Sequence, residues 1–410
     1  MSKIRIKNFG PIKEGRLDND GWIDIKKVTV FIGDQGTGKS TIAKLISTFM
    51  WLEKALCKGD IKQPLSMHEM WKLFMWQNLH NYIPEQGRNY EVEYVGEAYT
   101  FNYKYGLYWL DIALEVNSTY VIPKIMYVPA ERNVLSTLRN VYDLKTLPDA
   151  LRTFGAELKR AQISLDGRPL NLPLRDLSYL YDEKNDASFI VGKDYKLDLL
   201  EASSGFHSLI PLFLVSHNLA AIPSANAHAN LSVNQIIIRD REISLISSDD
   251  TISNDEKAAQ IALVHERYVN KCFVNIVEEP EQNLFPSSQK LILYKLIEYA
   301  NVNEQNKLIV TTHSPYIVNY LTLAVKAHQL LANIERAGKA TELNTVVSNI
   351  VPLNSALKAN DLAIYELTND GSIKILEEYA GLPSDENYLN TLLGETNEEF
   401  AKLLDIQQSL

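Results

Sequence analysis

The amino-acid sequence predicts an α/β fold with a mixed central sheet, an antiparallel β subdomain and a helical lobe. The first indication is an apolar, mostly β-branched run over 28–32, which is followed by a glycine-rich turn and a helical pattern over 39–56. The second is a pair of apolar strands, over 272–277 and 307–312, that each end in polar residues. The third is a repeated alternation of aromatic and polar residues over 89–122, which is typical of an antiparallel meander.

The other elements follow from the same two periodicities, two residues for strands and three to four for helices. Before the second apolar strand, the sequence predicts two short strands of an antiparallel edge within 4–17, a helix within 61–83, a strand over 125–132, helices over 134–170, 209–222 and 251–270, a hairpin over 188–200 and a loop over 223–234. After it, the sequence predicts helices over 286–301 and 315–331, strands over 344–351, 362–367 and 372–376, and one or two acidic helices within 384–410.

The turn after the first apolar strand has the spacing of a phosphate-binding loop, Gly33, four residues, Gly38, Lys39 and Ser40. Its glycines allow backbone angles that turn successive N–H groups inward, and the following helix directs its positive end at the same anion. Lys39 can reach the β- and γ-phosphates, and the Ser40 hydroxyl can bind Mg²⁺. The residues predicted to bind nucleotide here are Gly33, Asp34, Gln35, Gly36, Thr37, Gly38, Lys39, Ser40 and Thr41.

Polar residues at two later strand ends extend this predicted site. Glu278 and Glu279 follow the strand over 272–277, and strand ends are where open α/β sheets bind ligands. We expect Glu278 to hold Mg²⁺ and Glu279 to polarise the attacking water. His313 follows the next strand and could reach the γ-phosphate.

A second anion site is predicted at 203–205. Ser203, Ser204 and Gly205 open a helix and offer an N-cap hydroxyl and free N–H groups, although this is also common turn chemistry.

Composition limits the class of protein. The chain has 410 residues and a net charge of −10. Most of this charge comes from 361–410, which contains 11 acidic residues and two lysines. The two cysteines, Cys57 and Cys272, have no metal-type spacing. We expect reduced thiols in a cytoplasmic protein without a signal peptide or membrane span.

Two features leave nucleic-acid binding open. The alternating tyrosines within 89–122 could stack on bases, or could form one packed face of a sheet. Basic residues over 134–170 could bind phosphates, but acidic residues lie among them, as on a solvated helix face.

Along the chain, the phosphate-binding loop is followed by the Ser-Gly helix start, the acidic strand end and the strand-end histidine. In this order the motifs resemble those of ABC-type ATPases, in the AAA-family branch that contains SMC and recombination ATPases. The run Ile6–Ile12 is similar to the start of members of that branch. The runs Tyr127–Arg132, Glu278–Pro286 and Thr312–Pro315 resemble ATPases of prokaryotic anti-phage defence systems, such as the Septu ATPase and the overcoming-lysogenization-defect nucleases. The resemblance extends over about residues 1–366.

The resemblance implies a P-loop NTPase of the ABC-ATPase type that uses ATP and Mg²⁺, with Lys39, Glu279 and His313 as catalytic residues. By the same resemblance, 33–41 is the Walker A motif, Glu278 and Glu279 are the Walker B pair, and 282–284 is the D-loop. His313 is the switch histidine, and 203–205 is the signature, which acts on the nucleotide of a partner subunit. A homodimer or a higher oligomer of dimers is therefore expected.

Several positions depart from the family pattern. Glu278 replaces the usual Asp, Ala202 stands where Leu is common, and His207 stands where Gln is common. The usual Q-loop Gln is not evident, and Glu131 or Arg132 occupies its place. No long coiled coil and no Toprim-like acidic set is found, so a nuclease effector would be a separate chain.

The sequence therefore suggests four segments. These are a nucleotide-binding lobe with Walker A and the antiparallel β subdomain (1–132), a helical lid lobe with the signature (133–270), a nucleotide-binding lobe with Walker B and the switch histidine (271–367), and an acidic C-terminal segment (368–410).

The leading hypothesis is an ATPase that dimerises on ATP and controls a separate effector, expected to be a nuclease, in anti-phage defence. An ATP-bound scaffold with little turnover and a stand-alone DNA-repair ATPase are the alternatives. A transporter ATPase fits the motifs least well.

Overall fold

The computed structural model describes residues 2–83, 89–115, 120–138, 147–174, 176–221, 233–249, 251–338 and 340–408. Its strands are β1 (Lys3–Lys7), β2 (Gly15–Arg16), β3 (Trp22–Asp24), β4 (Val28–Gly33), β5 (Glu91–Val95), β6 (Tyr99–Lys104), β7 (Asp111–Leu114), β8 (Pro123–Val128), β9 (Leu170–Asn171), β10 (Ser178–Asp182), β11 (Ala187–Val191), β12 (Lys196–Asp198), β13 (Cys272–Glu278), β14 (Lys307–Thr311), β15 (Leu362–Leu367), β16 (Ser372–Ile375), β17 (Glu378–Tyr379) and β18 (Leu382–Pro383). Its helices are α1 (Lys39–Lys58), α2 (Met67–Trp76), α3 (Val134–Thr137), α4 (Asp149–Ser164), α5 (Ser204–Ala221), α6 (Val233–Ser247), α7 (Asn254–Tyr268), α8 (Pro286–Asn301), α9 (Pro315–Arg336), α10 (Ala340–Ser348) and α11 (Tyr388–Gln408).

A seven-stranded mixed sheet in the order β2-β16-β15-β4-β14-β13-β8 forms the centre of the molecule. The five strands from β15 to β8 are parallel, and β16 is antiparallel to β15. Strands β4 and β13 are buried along their whole length, which explains their nearly continuous apolar sequences. Because β4, β14, β13 and β8 are parallel, their carboxyl ends meet at one edge of the sheet.

The two faces of this sheet pack against different layers. Val28, Val30 and Ile32 of β4 point into a core shared with α4, α5, α8 and α9, whereas Phe31 points into a core shared with α1. Helix α1 lies between the central sheet and a five-stranded antiparallel sheet in the order β3-β1-β5-β6-β7. The predicted α/β fold with a mixed central sheet and an antiparallel β subdomain is confirmed.

Most predicted elements are present. For the tyrosines of the meander, the sequence left open whether they stack on bases or form a packed sheet face, and the structure decides this for two of them. Tyr94 and Tyr103 are buried in the core under α1, so they belong to a packed sheet face. The hairpin of β11 and β12 and the acidic helix α11 are also as predicted. Cys57 and Cys272 are free.

Several predictions about elements were wrong or incomplete. The helix predicted over 134–170 is, in the described residues, divided into α3 and α4, and Leu170 belongs to β9, because Asp166 and Gly167 turn the chain with left-handed φ values after α4. The segment 344–351 is not a strand but lies mostly in α10, because Val347 and Val351, four residues apart, are the buried side chains. The two strands within 4–17 do not pair with each other: β1 joins the antiparallel sheet and β2 joins β16. Helix α6 was not predicted, and residues 223–232 of the predicted loop lie outside the described residues.

Candidate functional site

The phosphate-binding loop connects β4 to α1 and requires its glycines. Gly33 has a φ of +141°, and a Cβ atom on it would lie 2.4 Å from the Leu367 carbonyl oxygen. Gly38 has a φ of +106°, and a Cβ there would lie 3.0 Å from Pro11. Side chains at either position would therefore strain or displace the loop.

Lys39 begins α1 and folds back over the loop. Its Nζ donates hydrogen bonds to the carbonyl oxygens of Gly33 (2.9 Å) and Asp34 (2.6 Å). Burial lowers the pKa of Lys39 to about 8, against the opposing effect of the nearby Glu279 and other carboxylates. The ammonium group is thus held where an incoming phosphate would meet it, and its hydrogen-bond partners among the described residues are neutral carbonyl oxygens.

Glu278 ends β13 as a buried carboxylate with one oxygen unused. Its Oε2 accepts a hydrogen bond from the Ala130 backbone N–H at 3.3 Å, while its Oε1 is buried without a partner among the described residues. An unpaired carboxylate oxygen and the exposed hydroxyl of Ser40 are both oxygen donors, which Mg²⁺ prefers. Glu278 at the end of β13 and Ser40 in the first turn of α1 therefore offer oxygen ligands of the kind that suits Mg²⁺.

Glu279 and His313 face each other from neighbouring strand ends. The backbone N–H of Glu279 donates to the Thr311 carbonyl oxygen at 2.9 Å, and Glu279 has a left-handed φ of +43°. Its Oε1 lies 3.6 Å from His313 Nε2, and each side chain is a little over one-third exposed. Burial and the nearby Lys39 ammonium lower the pKa of His313, which favours the neutral imidazole at pH 7.

A cavity of about 440 Å³ contains most of the predicted catalytic and nucleotide-binding side chains. It is lined by Gly10, Pro11, Gln35, Gly36, Gly38, Lys39, Ser40, Thr41, Tyr82, Glu279, Thr311 and His313. Gly10, Pro11, Tyr82 and Thr311 were not predicted as site residues. Asp34, at the same loop, accepts hydrogen bonds from the Gln35 N–H and from the Tyr388 hydroxyl of α11. The Thr37 hydroxyl donates to the Asp34 carbonyl oxygen at 2.9 Å.

Ser203, Ser204 and Gly205 lie at the start of α5, outside the lining of this cavity. Both serines are exposed. A Cβ on Gly205 would lie 3.0 Å from the carbonyl oxygen of Asn283, so this turn packs closely against the predicted D-loop. The structure therefore does not bring these three residues together with the phosphate-binding loop of the same chain.

Arg132 is fully buried and ties three segments together, its own turn after β8, the start of α5 and the end of β13, whereas its neighbour Glu131 is exposed. The guanidinium donates to four carbonyl oxygens, those of Pro129 (3.3 Å), Ser208 (3.0 Å), Glu278 (2.7 Å) and Glu279 (2.7 Å). Burial lowers the pKa of Arg132 to about 10, and the surrounding carboxylates oppose this effect. Both residues were possible Q-loop substitutes from the sequence, and only Arg132 contacts the two carboxylate-bearing residues in this way.

Glu281 is a site residue that the sequence did not suggest. Its Oε1 accepts hydrogen bonds from the Thr312 hydroxyl (2.8 Å) and from the His313 backbone N–H (2.7 Å). Its Oε2 is buried without a partner among the described residues, and burial raises its pKa. Glu281 thereby links the loop after β13 to the turn that carries His313. Its place in the Glu-Glu-Pro-Glu run was the available signal.

Comparison with protein families gives one match. Residues 256–318 match a family model described as an AAA ATPase domain. This segment contains β13, Glu278, Glu279, β14 and His313. The match supports the prediction of an ATPase over this part of the chain. No curated protein matches the sequence.

Solved structures with a related arrangement include SMC heads and ABC cassettes. The SMC head domain from Thermotoga maritima is 13% identical, with 92% of this chain and 98% of that chain covered and a TM-score of 0.36. The Smc head domain bound to the C-terminal domain of ScpA, derived from Pyrococcus furiosus, is 10% identical over 100% of both chains, with a TM-score of 0.37. A nucleotide-free ATP-binding cassette from an ABC transporter is 12% identical over 93% of both chains, with a TM-score of 0.32. The likeness is thus a general one.

In the described part of the chain, no helix has the length and apolar character that crossing a membrane would require.

Proposed function

We propose that this chain is an ATP-binding and ATP-hydrolysing enzyme of the ABC and SMC type. The observation that carries the proposal is the meeting of three groups at one cavity, namely the glycine-rich loop with Lys39, the carboxylate of Glu279 and the imidazole of His313. A phosphate cradle alone would support binding only. The carboxylate and imidazole beside it add groups that can act on a water at the terminal phosphate.

Each group has a distinct role in the proposed reaction. The loop N–H groups and Lys39 bind the phosphates, and Lys39 stabilises the charge that develops on the transferred phosphoryl group. Glu279, which is partly exposed, accepts a proton from the attacking water and orients it. His313 donates a hydrogen bond toward the γ-phosphate. Ser40 and Glu278 would hold Mg²⁺, which neutralises phosphate charge when bound.

The proposal includes dimerisation on ATP. Ser203 and Ser204 are exposed at a helix start and lie outside the cavity of their own chain. This position supports a role on the nucleotide of a second copy, which would complete each site. Control of a separate effector, expected to be a nuclease in anti-phage defence, is proposed from the resemblance in 127–132, 278–286 and 312–315.

The test measures ATP hydrolysis in the wild type, Lys39→Ala and Glu279→Gln. We expect each substitution to lower turnover by about 10²-fold or more, because one removes phosphate charge stabilisation and the other removes the proton acceptor. Lys62→Ala and Glu377→Gln, both at exposed positions, are the matched controls and should keep wild-type turnover. Wild-type turnover in both site variants would refute the assignment.

Light scattering tests the dimer with the same proteins. The chain has a mass of 46.5 kDa. Because Glu279→Gln removes the proposed proton acceptor, we expect it to retain ATP, to form a dimer with ATP and to remain a monomer without it. A Glu279→Gln chain that binds ATP and stays monomeric would rule out the composite site.

One observation favours the alternative of an ATP-bound scaffold with little turnover. His207, at a position where the family commonly has Gln, is buried, and its Nε2 is 2.7 Å from the Leu199 carbonyl oxygen. The side chain is therefore not presented to a partner subunit. Oligomerisation that requires ATP, combined with negligible turnover in the presence of DNA and effector, would favour this alternative.

A further inference from the structure

A second cavity, of about 280 Å³, lies between α1, α2, β8 and α4, away from the phosphate-binding loop. Residues that define it include Trp51, Lys54 and Lys58 of α1, Trp76 and Gln77 at the end of α2, and Lys124 of β8. We call it the lysine–tryptophan cavity. Lys54 is fifteen positions after Lys39 on the same helix, which corresponds to about 22 Å along its axis.

Lys54 is the most unusual group in this cavity. Its Nζ donates hydrogen bonds to the Pro123 carbonyl oxygen (2.6 Å) and the Asn270 side-chain oxygen (2.9 Å), which are both neutral. No ion pair with a carboxylate accompanies these bonds in the described ranges. Burial lowers the pKa of Lys54 to about 7, and the neighbouring Lys124 and Lys58 add to this effect. A partly buried ammonium group whose hydrogen-bond partners in the described residues are neutral is a place where an anion would be stabilised.

The other two lysines that line the cavity are each paired with one carboxylate, so Lys54 supplies its excess positive charge. Lys58 pairs with Asp60 at 3.2 Å, and Lys124 pairs with Glu157 at 2.7 Å. The same Glu157 carboxylate also accepts a hydrogen bond from Arg160 at 2.7 Å. The two carboxylates are thus shared among more cations than they can neutralise.

Aromatic and amide groups complete the lining. Trp51 and Trp76 are 39% and 38% exposed, so both indoles keep accessible surface at the cavity. Gln77 is 2% exposed, and its Oε1 has no hydrogen-bond partner among the residues that the structure describes. Indole surfaces stack on nucleobases, and an unpaired amide oxygen can accept a hydrogen bond from a base edge.

We propose that the lysine–tryptophan cavity binds one nucleoside 5′-monophosphate unit, with its phosphate at Lys54 and its base against Trp76 and Trp51. The volume is near the lower limit of ligand pockets and suits a single nucleotide. The unit could be a free mononucleotide or the 5′-phosphorylated end of a strand, because the two present the same groups. The site is separate from the cavity at Lys39 and does not depend on the proposed ATPase function.

The experiment is calorimetric titration of AMP, CMP, GMP and UMP into the Lys39→Ala chain, in which binding at the phosphate-binding loop is weakened. We expect one equivalent of at least one nucleotide to bind with a Kd below about 1 mM. In the same background, Lys54→Met should weaken binding about ten- to hundredfold, as expected for the loss of a charge-assisted hydrogen bond. Trp76→Ala should weaken it about five- to hundredfold through lost stacking.

Trp71→Ala is the matched control, because Trp71 lies on the same helix, is also 38% exposed and does not line the cavity. Equal binding by Trp76→Ala and Trp71→Ala chains, or no binding of any nucleotide, would overturn the proposal. Since Lys54→Met could disturb folding, the Trp76→Ala comparison and thermal unfolding of every variant keep the outcome decisive.

Oligonucleotides with a 5′-phosphate or a 5′-hydroxyl distinguish the two sources of the ligand. Preference for the 5′-phosphate that Trp76→Ala abolishes would support the strand end, and binding of mononucleotides alone would support a free nucleotide. If inorganic phosphate displaces the nucleotide completely and Trp76→Ala leaves the nucleotide affinity unchanged, the assignment of a nucleotide ligand would be overturned. ATP turnover of the chain with intact Lys39 is measured in parallel, so failure of this site and failure of the proposed ATPase give different results.

Discussion

Replacement of Arg132 by methionine removes the guanidinium that joins three segments of the candidate site. Methionine keeps much of the length of the side chain but donates no hydrogen bonds. The carbonyl oxygens of Pro129, Ser208, Glu278 and Glu279 would then lose a charged donor at distances of 2.7 to 3.3 Å. We expect both the stability of the chain and the positions of the Glu278 and Glu279 carboxylates to change.

The size of the effect follows from burial and charge. Two of the carbonyl oxygens keep another donor, since that of Glu279 also accepts from the Gln282 N–H at 3.1 Å and that of Pro129 from the backbone N–H of residue 132 at 3.3 Å. The loss of Arg132 also removes a positive charge that faces Glu281 and Glu278. Breaking a buried, hydrogen-bonded charge arrangement typically costs about 3 to 5 kcal/mol, so we expect the free energy of unfolding to fall by about this amount.

Urea unfolding followed by circular dichroism measures this change, and ATP hydrolysis in the same preparations reports on the site. Arg152→Met is the control, because Arg152 is on the surface of α4 and its ion pair with Asp149 is exposed. Surface substitutions usually change stability by less than about 0.5 kcal/mol. An Arg132→Met chain that is as stable as Arg152→Met and keeps wild-type turnover would refute the reasoning.

Three further predictions concern the same site. Glu281→Ala should lower turnover more than Glu281→Gln in a steady-state ATPase assay, because glutamine keeps an oxygen that can accept from Thr312 and His313. The affinity for ATP should fall as pH rises above about 8 in calorimetric titrations. The pKa of Lys39 is lowered to about 8, so its positive charge is lost in that range, whereas bound phosphate favours the charged form. Lys39→Met should show no such fall. Gly33→Ala should abolish nucleotide binding, since its Cβ would lie 2.4 Å from the Leu367 carbonyl oxygen. Gly36→Ala should only weaken binding, because no atom lies within 4 Å of the added Cβ and the φ of +81° costs about 1 to 2 kcal/mol.

Much of this site could be predicted from the sequence because its signals are local. The strand, the glycines and the helix start of 28–41 are consecutive, and each has one physical reading. Glu278, Glu279 and His313 could be placed together because parallel strands bring their carboxyl ends to one edge. The mistaken strand at 344–351 is also a local effect, since β-branched residues favour a strand until packing selects a four-residue spacing.

Arg132 could not be placed in the same way, because its burial depends on segments far apart in the chain. A charged residue after a strand is ordinarily expected in solvent. Here Pro129, Ser208 and the end of β13 surround it with carbonyl oxygens that need a donor. Since Ser208 lies in the same first turns of α5 as Ser204, one guanidinium holds both the start of that helix and the backbone of Glu279. If a second copy shifts α5 on ATP binding, we expect the carbonyl of Glu279 to move with it, which would couple dimerisation to the position of the proton acceptor.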